Sequence, residues 1–329
     1  AAISDPAAIA EDAGAQTISL TGISAGGGES QSIAVTAVSG NPGLIPDPTV
    51  SYGSPGTTGS LSYTPLADQS GSAVITVTVV DGGLDDDLNT SSDNGTVTQT
   101  FTVTVDPVND APTLAAISDP AVIAEDSGGQ TISLSGISAG GGESQTLAVT
   151  AVSSNPGLIP DPTVSYSSAA TTGSLSYTPL ADQSGSAVIT VTVVDGGLDD
   201  DLNTSSDNGT VTQTFTVTVD PVNDAPTLAA ISDPAVIAED SGVQTINLSG
   251  ISAGGEETQT LAVTAVSGNP GLIPDPTVSY SSPGTTGSLS YTPLANQSGS
   301  AVITVTVMDG GLDNDLNTSS DNATVVQTF

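Results

Sequence analysis

The chain contains no lysine, arginine, histidine, cysteine or tryptophan. Each absence removes a class of chemistry. Without His, Lys or Cys there is no Ser-His-Asp or Cys-His nucleophile, no Schiff base, no thiolate and no imidazole metal ligand. Paired carboxylates are what remains for acid-base work, and they need a shaped cleft that small repeated domains rarely supply, so the sequence reads as non-enzymatic. The lack of cysteine excludes a disulfide scaffold, and the lack of lysine excludes lysine-based isopeptide crosslinks. No run of about 18 apolar residues occurs and no basic segment precedes an apolar one, so the sequence holds no membrane-spanning helix and no signal peptide.

What is present is acid. The 36 Asp and Glu give a formal charge of −36 at neutral pH. With no cationic side chain to answer them, their mutual repulsion must be offset by solvent ions or bound cations. Nucleic acid and anionic membranes are repelled.

The second organising feature is repetition. Ile3, Ile117 and Ile231 open matching segments that run without insertion through Tyr52, Tyr166 and Tyr280 to Phe101, Phe215 and Phe329, a period of 114 residues. That is too long for a solenoid unit and falls in the range of independent domains. The expected division is residues 1–110, 111–224 and 225–329. Repeats one and two continue past Phe101 and Phe215 into TVTVDPVNDAPTL whereas the sequence stops at Phe329, so the expectation is a window from a longer array, its third unit lacking the end of the last strand.

Within a repeat the pattern is strand and turn. In Ala73 to Val80, Ala73, Ile75, Val77 and Val79 share one face and Thr76 and Thr78 the other, the period of a half-buried strand. Val97, Phe101, Val103 and Val105 repeat the device. Further strands are expected at Pro6 to Ala10, Thr17 to Leu20, Ser32 to Ser39, Thr49 to Tyr52 and Ser60 to Pro65, divided by Gly, Pro, Asn and Asp clusters. About seven short strands per repeat and no helical period predict an all-β, immunoglobulin-like sandwich of two antiparallel sheets. The six Tyr and three Phe fall on three positions per repeat, Tyr52, Tyr63 and Phe101 in the first. None is spare for a carbohydrate-stacking platform, so all are expected to pack in the sandwich.

The acids are clustered. Asp81, Asp85, Asp86, Asp87 and Asp93 crowd the loop DGGLDDDLNTSSDNG between the sixth and seventh strands. Asp85, Asp87, Asn89 and Asp93 form D-x-D-x-N-x-x-x-D, oxygen ligands at the spacing of a calcium loop, although Thr90 stands where an EF-hand has glycine and no Glu closes the series. The copies are Asp195, Asp199, Asp201, Asn203 and Asp207, then Asp309, Asp313, Asp315, Asn317 and Asp321. Asp86 and Asp200 become Asn314 while each of these candidate ligands is kept. A solvated acidic surface accounts for the net charge but not for this clustering. Asn89-Thr90-Ser91 and Asn94-Gly95-Thr96 are also glycosylation sequons.

A second cluster, Asp106-Pro107-Val108-Asn109-Asp110-Ala111-Pro112, recurs as Asp220 to Pro226, with prolines that stiffen a domain joint. DPVNDAPTL resembles the D-x-N-D-N-x-P linker of cadherins. The strings AEDSGGQTISLSGIS and QSGSAVITVTVVDGG, leading to VNDAP, resemble the cadherin-like and immunoglobulin-like tandem repeats of large bacterial surface proteins, and the likeness spans the chain. It implies calcium between consecutive domains, with ligands on Glu11, Asp68, Asp106, Asn109 and Asp110, on their copies Glu125, Asp182, Asp220, Asn223 and Asp224, and on the next repeat's loop beginning at Asp195. The sequence departs from cadherins at Asp68-Gln69-Ser70, at Asn296 in place of that Asp, and at Glu29, the one acid after the second strand. One or two ions per joint is the expectation. Asp106 and Asn109 also suit turn capping.

The function expected from these readings is that of a non-catalytic extracellular stalk or fibre segment of a bacterial surface adhesin or matrix protein, rigidified by Ca²⁺, with neighbouring repeats or copies of itself as partners. Contacts with surface or matrix glycans and proteins would come through regions outside this sequence. The alternatives are a self-assembling filament or surface-layer subunit and a multivalent protein- or glycan-binding module.

Overall fold

The computed structural model describes residues 1–90, 92–204, 206–255, 257–318 and 320–329. Among them every regular element is a β-strand. The first repeat comprises β1 (Ile9–Ala10), β2 (Gln16–Thr21), β3 (Ile33–Ser39), β4 (Thr49–Ser51), β5 (Thr58–Tyr63), β6 (Gly71–Asp81) and β7 (Thr96–Asp106). The second repeats them as β8 (Ile123–Ala124), β9 (Gln130–Ser135), β10 (Leu147–Ser153), β11 (Thr163–Ser165), β12 (Thr172–Tyr177), β13 (Gly185–Asp195) and β14 (Thr210–Asp220). The third has β15 (Gln244–Ser249), β16 (Leu261–Ser267), β17 (Thr277–Ser279), β18 (Thr286–Tyr291), β19 (Ile303–Asp309) and β20 (Thr324–Thr328).

Each of the first two repeats is a sandwich. One sheet runs β1-β7-β6-β3 and the other β2-β5-β4. The pairing is antiparallel except for β1, which lies parallel to β7 through Ile9↔Val105 and Ala10↔Asp106. Period-two alternation turns Ala73, Ile75 and Val77 of β6 and Phe101, Val103 and Val105 of β7 into the space between the sheets, where they meet Leu20 and Leu61 from β2 and β5. Each side chain so buried contributes about 1.5–3 kcal/mol of transfer free energy. All three aromatic positions lie in or against the core, with Phe101 and Tyr63 buried and Tyr52 half-buried. Three separate apolar clusters result, and the second and third each include a leucine from the preceding linker, Leu114 and Leu228.

Three expectations shift. β1 is Ile9–Ala10 alone in place of Pro6 to Ala10. β5 occupies Thr58–Tyr63 in place of Ser60 to Pro65, because Pro65 has no N–H for a ladder and Gly59 pairs with Leu20 at the other end. Val97 has the parity of Phe101 yet is 56 % exposed. It pairs with Val79 in the ladder and lines a groove with Ile3 and Leu20. In the second repeat Leu114 packs into the core at 7 % exposure, with its counterpart Val211 against it.

The sixth-to-seventh-strand loop of one repeat and the linker from the repeat before it are brought to the same end of the sandwich. That placement creates the acidic joints.

Candidate metal centre

The first joint is built around Asp110. One cluster joins Glu11, Asp110 and Glu143 and another joins Asp12, Asp68 and Asp110, each with carboxylate oxygens within 4.8 Å of one another. Glu11, Asp12 and Asp68 come from the first repeat, Asp110 from the linker and Glu143 from the loop between β9 and β10. The second joint copies this as Glu125, Asp224 and Glu257, and Asp126, Asp182 and Asp224.

Backbone hydrogen bonds hold the acids in place. Glu11 is 4 % exposed, and its N–H donates to the Asp106 carbonyl at 2.9 Å while its Oε1 accepts the Val108 N–H at 2.9 Å. The Asp110 N–H donates to Glu143 Oε2 at 3.2 Å. Asn109 reaches across in two directions. Its Nδ2 donates to Asp195 Oδ1 at 3.2 Å, and its Oδ1 accepts from Gln145 Nε2 at 2.6 Å. Glycine makes the approach possible: Gly140 (φ +102) and Gly141 (φ +38) lie so close to the linker that a Cβ on either would overlap the Asp110 side chain.

The oxygens left over point to a cation. Asp195 is fully buried; its Oδ1 accepts the Gly197 and Gly209 N–H groups at 3.0 and 2.8 Å, while its Oδ2 has no hydrogen-bond partner. Asp110 Oδ2 and Gln145 Oε1 are likewise buried and unpartnered, as are Asp224 Oδ2 and Gln259 Oε1 at the second joint. A buried carboxylate oxygen with no donor is costly, and the chain has no Lys, Arg or His to supply one. An all-oxygen, carboxylate-rich donor set of this kind fits a hard cation such as Ca²⁺.

Crowding shows in the protonation equilibria. Burial, followed by repulsion from Asp68, Asp12 and Glu11, pushes the Asp110 carboxyl above its ordinary value. Burial and repulsion from Asp110, Glu11 and Asp195 raise Glu143, partly offset by the hydrogen bond from the Asp110 N–H. Asp224 and Glu257 repeat both shifts, again led by burial.

Glu11 and Glu125, each with a linker packed against it, are 4 % and 6 % exposed where Glu239 is exposed, and Asp195 and Asp309, each against a linker, are sealed at 0 % where Asp81 is half-buried. The joint, more than the repeat itself, buries these acids.

The residues picked out by sequence divide into two sets. Glu11, Asp68, Asp110, Glu125, Asp182 and Asp224 are gathered into the clusters, and Asn109 and Asn223 bridge to Asp195 and Asp309. Asp106 and Asp220 use their carbonyls at the joint, accepting from the Glu11 and Glu125 N–H groups. The D-x-D-x-N-x-x-x-D residues also hydrogen-bond within their own loop, while Asp207 Oδ1 and Asp321 Oδ1 there are buried with no hydrogen-bond partner. Asp85 Oδ1 accepts the Asp87 N–H and its Oδ2 the Thr90 hydroxyl, Asp87 Oδ1 accepts the Asn89 N–H, and Asp93 Oδ2 accepts the Leu84 N–H. The same bonds hold Asp199, Asp201, Asn203 and Asp207, and Asp313, Asp315, Asn317 and Asp321. The Asn89 hydrogen bonds pull the exposed Asp87 carboxyl below its ordinary value. Among the described residues that loop shows no triad of the joint kind. Ser91 of the first sequon lies outside the described residues.

Sequence reasoning did not single out Asp12, Asp126, Glu143 or Glu257. The signals were there: Asp12 follows Glu11 directly, and Glu143 is the lone acid after a run of three glycines. The position that drifts from Asp86 to Asn314 also has a role. Its side-chain oxygen accepts the Ser32 N–H in the first repeat and the Thr260 N–H in the third, and the left-handed backbone there (φ 56 and 57) suits Asp and Asn alike.

Residues 223–326 match the family model described as the bacterial Ig domain. That match covers the third repeat, and the chain is an all-β tandem array of immunoglobulin-like repeats. Among solved structures it is similar to mouse cadherin-23 EC22-24 at 15% identity and a TM-score of 0.44, over 99% of this chain and 94% of that one. It is similar to protocadherin gamma B7 cadherin domains 1-4 at 14% identity and 0.40, over 100% and 75%. The surface layer protein SbsC, domains 1-6, aligns at 17% identity and 0.25, over 82% and 29%. No curated protein matches the chain.

Proposed function

We propose that the chain is a non-catalytic extracellular spacer whose joints are stiffened by calcium, a stalk or fibre segment of a bacterial surface adhesin or matrix protein. The units that move against one another are residues 1–110, 111–224 and 225–329. Glu11, Asp12, Asp68, Asp110 and Glu143 hold the cation at the first joint with Asp195 and Asn109 beside them, and Glu125, Asp126, Asp182, Asp224 and Glu257 do so at the second with Asp309 and Asn223. The bound ion supplies positive charge that lets carboxylates of two domains share one small volume. Without it their repulsion opens the joint.

The observation that carries this reading is the unpartnered, fully buried Asp195 Oδ2 at a joint whose other acids converge from both neighbours. Extracellular modules bind calcium at about 10⁻⁴–10⁻³ M, which sets such a joint to be loaded outside a cell. An array without Lys or Arg also resists trypsin-like proteases. Equilibrium dialysis of the full chain against millimolar ⁴⁵Ca²⁺ tests the assignment. At least one ion per joint is expected, falling by about half in Asp110→Asn, and no bound calcium sinks it. The D-x-D-x-N-x-x-x-D loops are proposed as weaker, separate sites, and Asp199→Asn with Asp201→Asn removes the second loop's share without changing a cluster residue of either joint.

A further inference from the structure

Each joint contains an asparagine whose amide can face its neighbours in only one way. At the first, Asn109 lies between the fully buried Asp195 carboxylate and the side chain of Gln145. A carboxylate only accepts, so Asn109 must turn its nitrogen to Asp195, and Nδ2 donates to Oδ1 at 3.2 Å. The Asn109 oxygen is thereby left to Gln145, which must answer with its own nitrogen, and Nε2 donates at 2.6 Å. What remains is the other arm of the Gln145 amide. Its Oε1 is buried and has no hydrogen-bond partner.

The second joint reproduces the relay. Asn223 Nδ2 donates to the Asp309 carboxylate at 3.4 Å, Gln259 Nε2 donates to Asn223 Oδ1 at 2.5 Å, and Gln259 Oε1 is buried and unpartnered. Gln259 is 9 % exposed and Asp309 0 %. Both glutamines stand two residues after an acid of the joint cluster, in Glu143-Ser144-Gln145 before β10 and Glu257-Thr258-Gln259 before β16. Ser144 and Thr258 are exposed while the side chains flanking them are withdrawn from solvent. The glutamine oxygen therefore belongs to the same side of the loop as the cluster glutamate. A buried oxygen without a donor is costly, and the chain has no Lys, Arg or His to supply one.

We propose that Gln145 Oε1 and Gln259 Oε1 are calcium ligands, neutral donors that complete the carboxylate set of each joint and set its affinity. The inference rests on the calcium reading given above. Calcium sites are tuned by the number of charged ligands they carry. A neutral oxygen in this seat adds a ligand without adding to the repulsion among the joint acids. The joint then holds its ion less tightly than it would with one more carboxylate, and it is less strained when the ion leaves. Asn109 and Asn223 act as positioning residues that aim the glutamine oxygen.

Calorimetric titration of the full chain with calcium tests this through two paired replacements. Gln145→Met with Gln259→Met keeps the side-chain length and removes the oxygen, and is expected to weaken joint binding about tenfold, whereas Gln145→Glu with Gln259→Glu keeps an oxygen, adds charge and is expected to tighten it about tenfold. If the glutamines only tethered the asparagines through their N–H groups, both pairs would weaken binding, because neither Met nor Glu can donate. A Met pair that binds as tightly as wild type, or a Glu pair that gains nothing, overturns the proposal. The wild-type chain gives a reading free of any folding defect. The side-chain carbonyl ¹³C resonance of Gln145 should move on saturation with calcium, and a resonance that stays in place while calcium binds also overturns it. A wild-type chain that binds no calcium would remove the joint assignment itself, and this inference with it.

Discussion

Asp110 and Glu143 meet across the boundary between the first two repeats, the Asp110 N–H donating to Glu143 Oε2 at 3.2 Å while their carboxylates share a cluster with Glu11. Two anions from neighbouring domains are thereby held together with no cationic side chain anywhere in the chain. The predictions below follow from that relationship and from its copy at Asp224 and Glu257.

Calcium should stabilise the full chain, and the gain should depend on the joint acids. At calcium a hundredfold above its dissociation constant the expected stabilisation is about 2.7 kcal/mol per site. Asp110→Asn and Asp224→Asn should each remove about half of the calcium-induced rise in melting temperature. Glu239→Gln, at an exposed glutamate outside both joints, should remove none. Calorimetry with and without chelator checks all three.

Without metal the joints should respond to acid in the reverse of the usual direction. Asp110, Glu143, Asp224 and Glu257 are raised above ordinary values of 3.8 and 4.5. Their contribution to stability is therefore complete below those ordinary values and is lost as pH rises through the raised ones. In chelator, lowering the pH from 7 toward the ordinary carboxylate values should close the joints and shorten the interdomain distance distribution. Asp87, Asp201 and Asp315 are lowered by their Asn hydrogen bonds, so their contribution disappears only below pH 3.8 and does not mask the effect. With calcium the same acidification should loosen the joints, because protons displace the ion. Small-angle scattering across this range reads both signs.

Gly141→Ala should uncouple the joint without unfolding either domain. Its φ of +38 disfavours any side chain, and the added Cβ would overlap the Asp110 carboxylate. The variant should keep its chelator-state unfolding free energy within about 1 kcal/mol of wild type and lose most of the calcium response at the first joint. Loss of the fold itself would count against this account of the glycine.

Truncation should track burial along the last strand. Phe215→Ala removes a side chain that is 2 % exposed and should cost about 3–5 kcal/mol. Val97→Ala, at a position 56 % exposed, should cost clearly less. Denaturant unfolding measures the contrast.

The sandwich was legible because its signal is local. Alternation along Ala73 to Val79 sets which face is buried, and proline and glycine clusters mark the turns. Val97 escaped that reading because parity says which face a residue takes, not whether anything covers it. The joint was legible only in part. Glu11, Asp68 and Asp110 could be placed through a resemblance, but Asp12 and Glu143 join them by tertiary approach, through glycines at 140 and 141 that permit contact without announcing a partner. In the loop the spacing of Asp85, Asp87 and Asn89 suits oxygen ligands and also closes side-chain to backbone turns, and those turns are present in the loop.

The most direct test of the central claim is the spread of distances between two labelled repeats. Since the sequence has no cysteine, Thr36→Cys and Thr150→Cys, both exposed on equivalent strands, carry spin labels without further change, and pulsed dipolar spectroscopy reads the distance between the first two domains. The account predicts a broad distribution in chelator that collapses to one narrow peak in millimolar Ca²⁺, and that stays broad in Asp110→Asn. A distribution of the same width with and without calcium would contradict it.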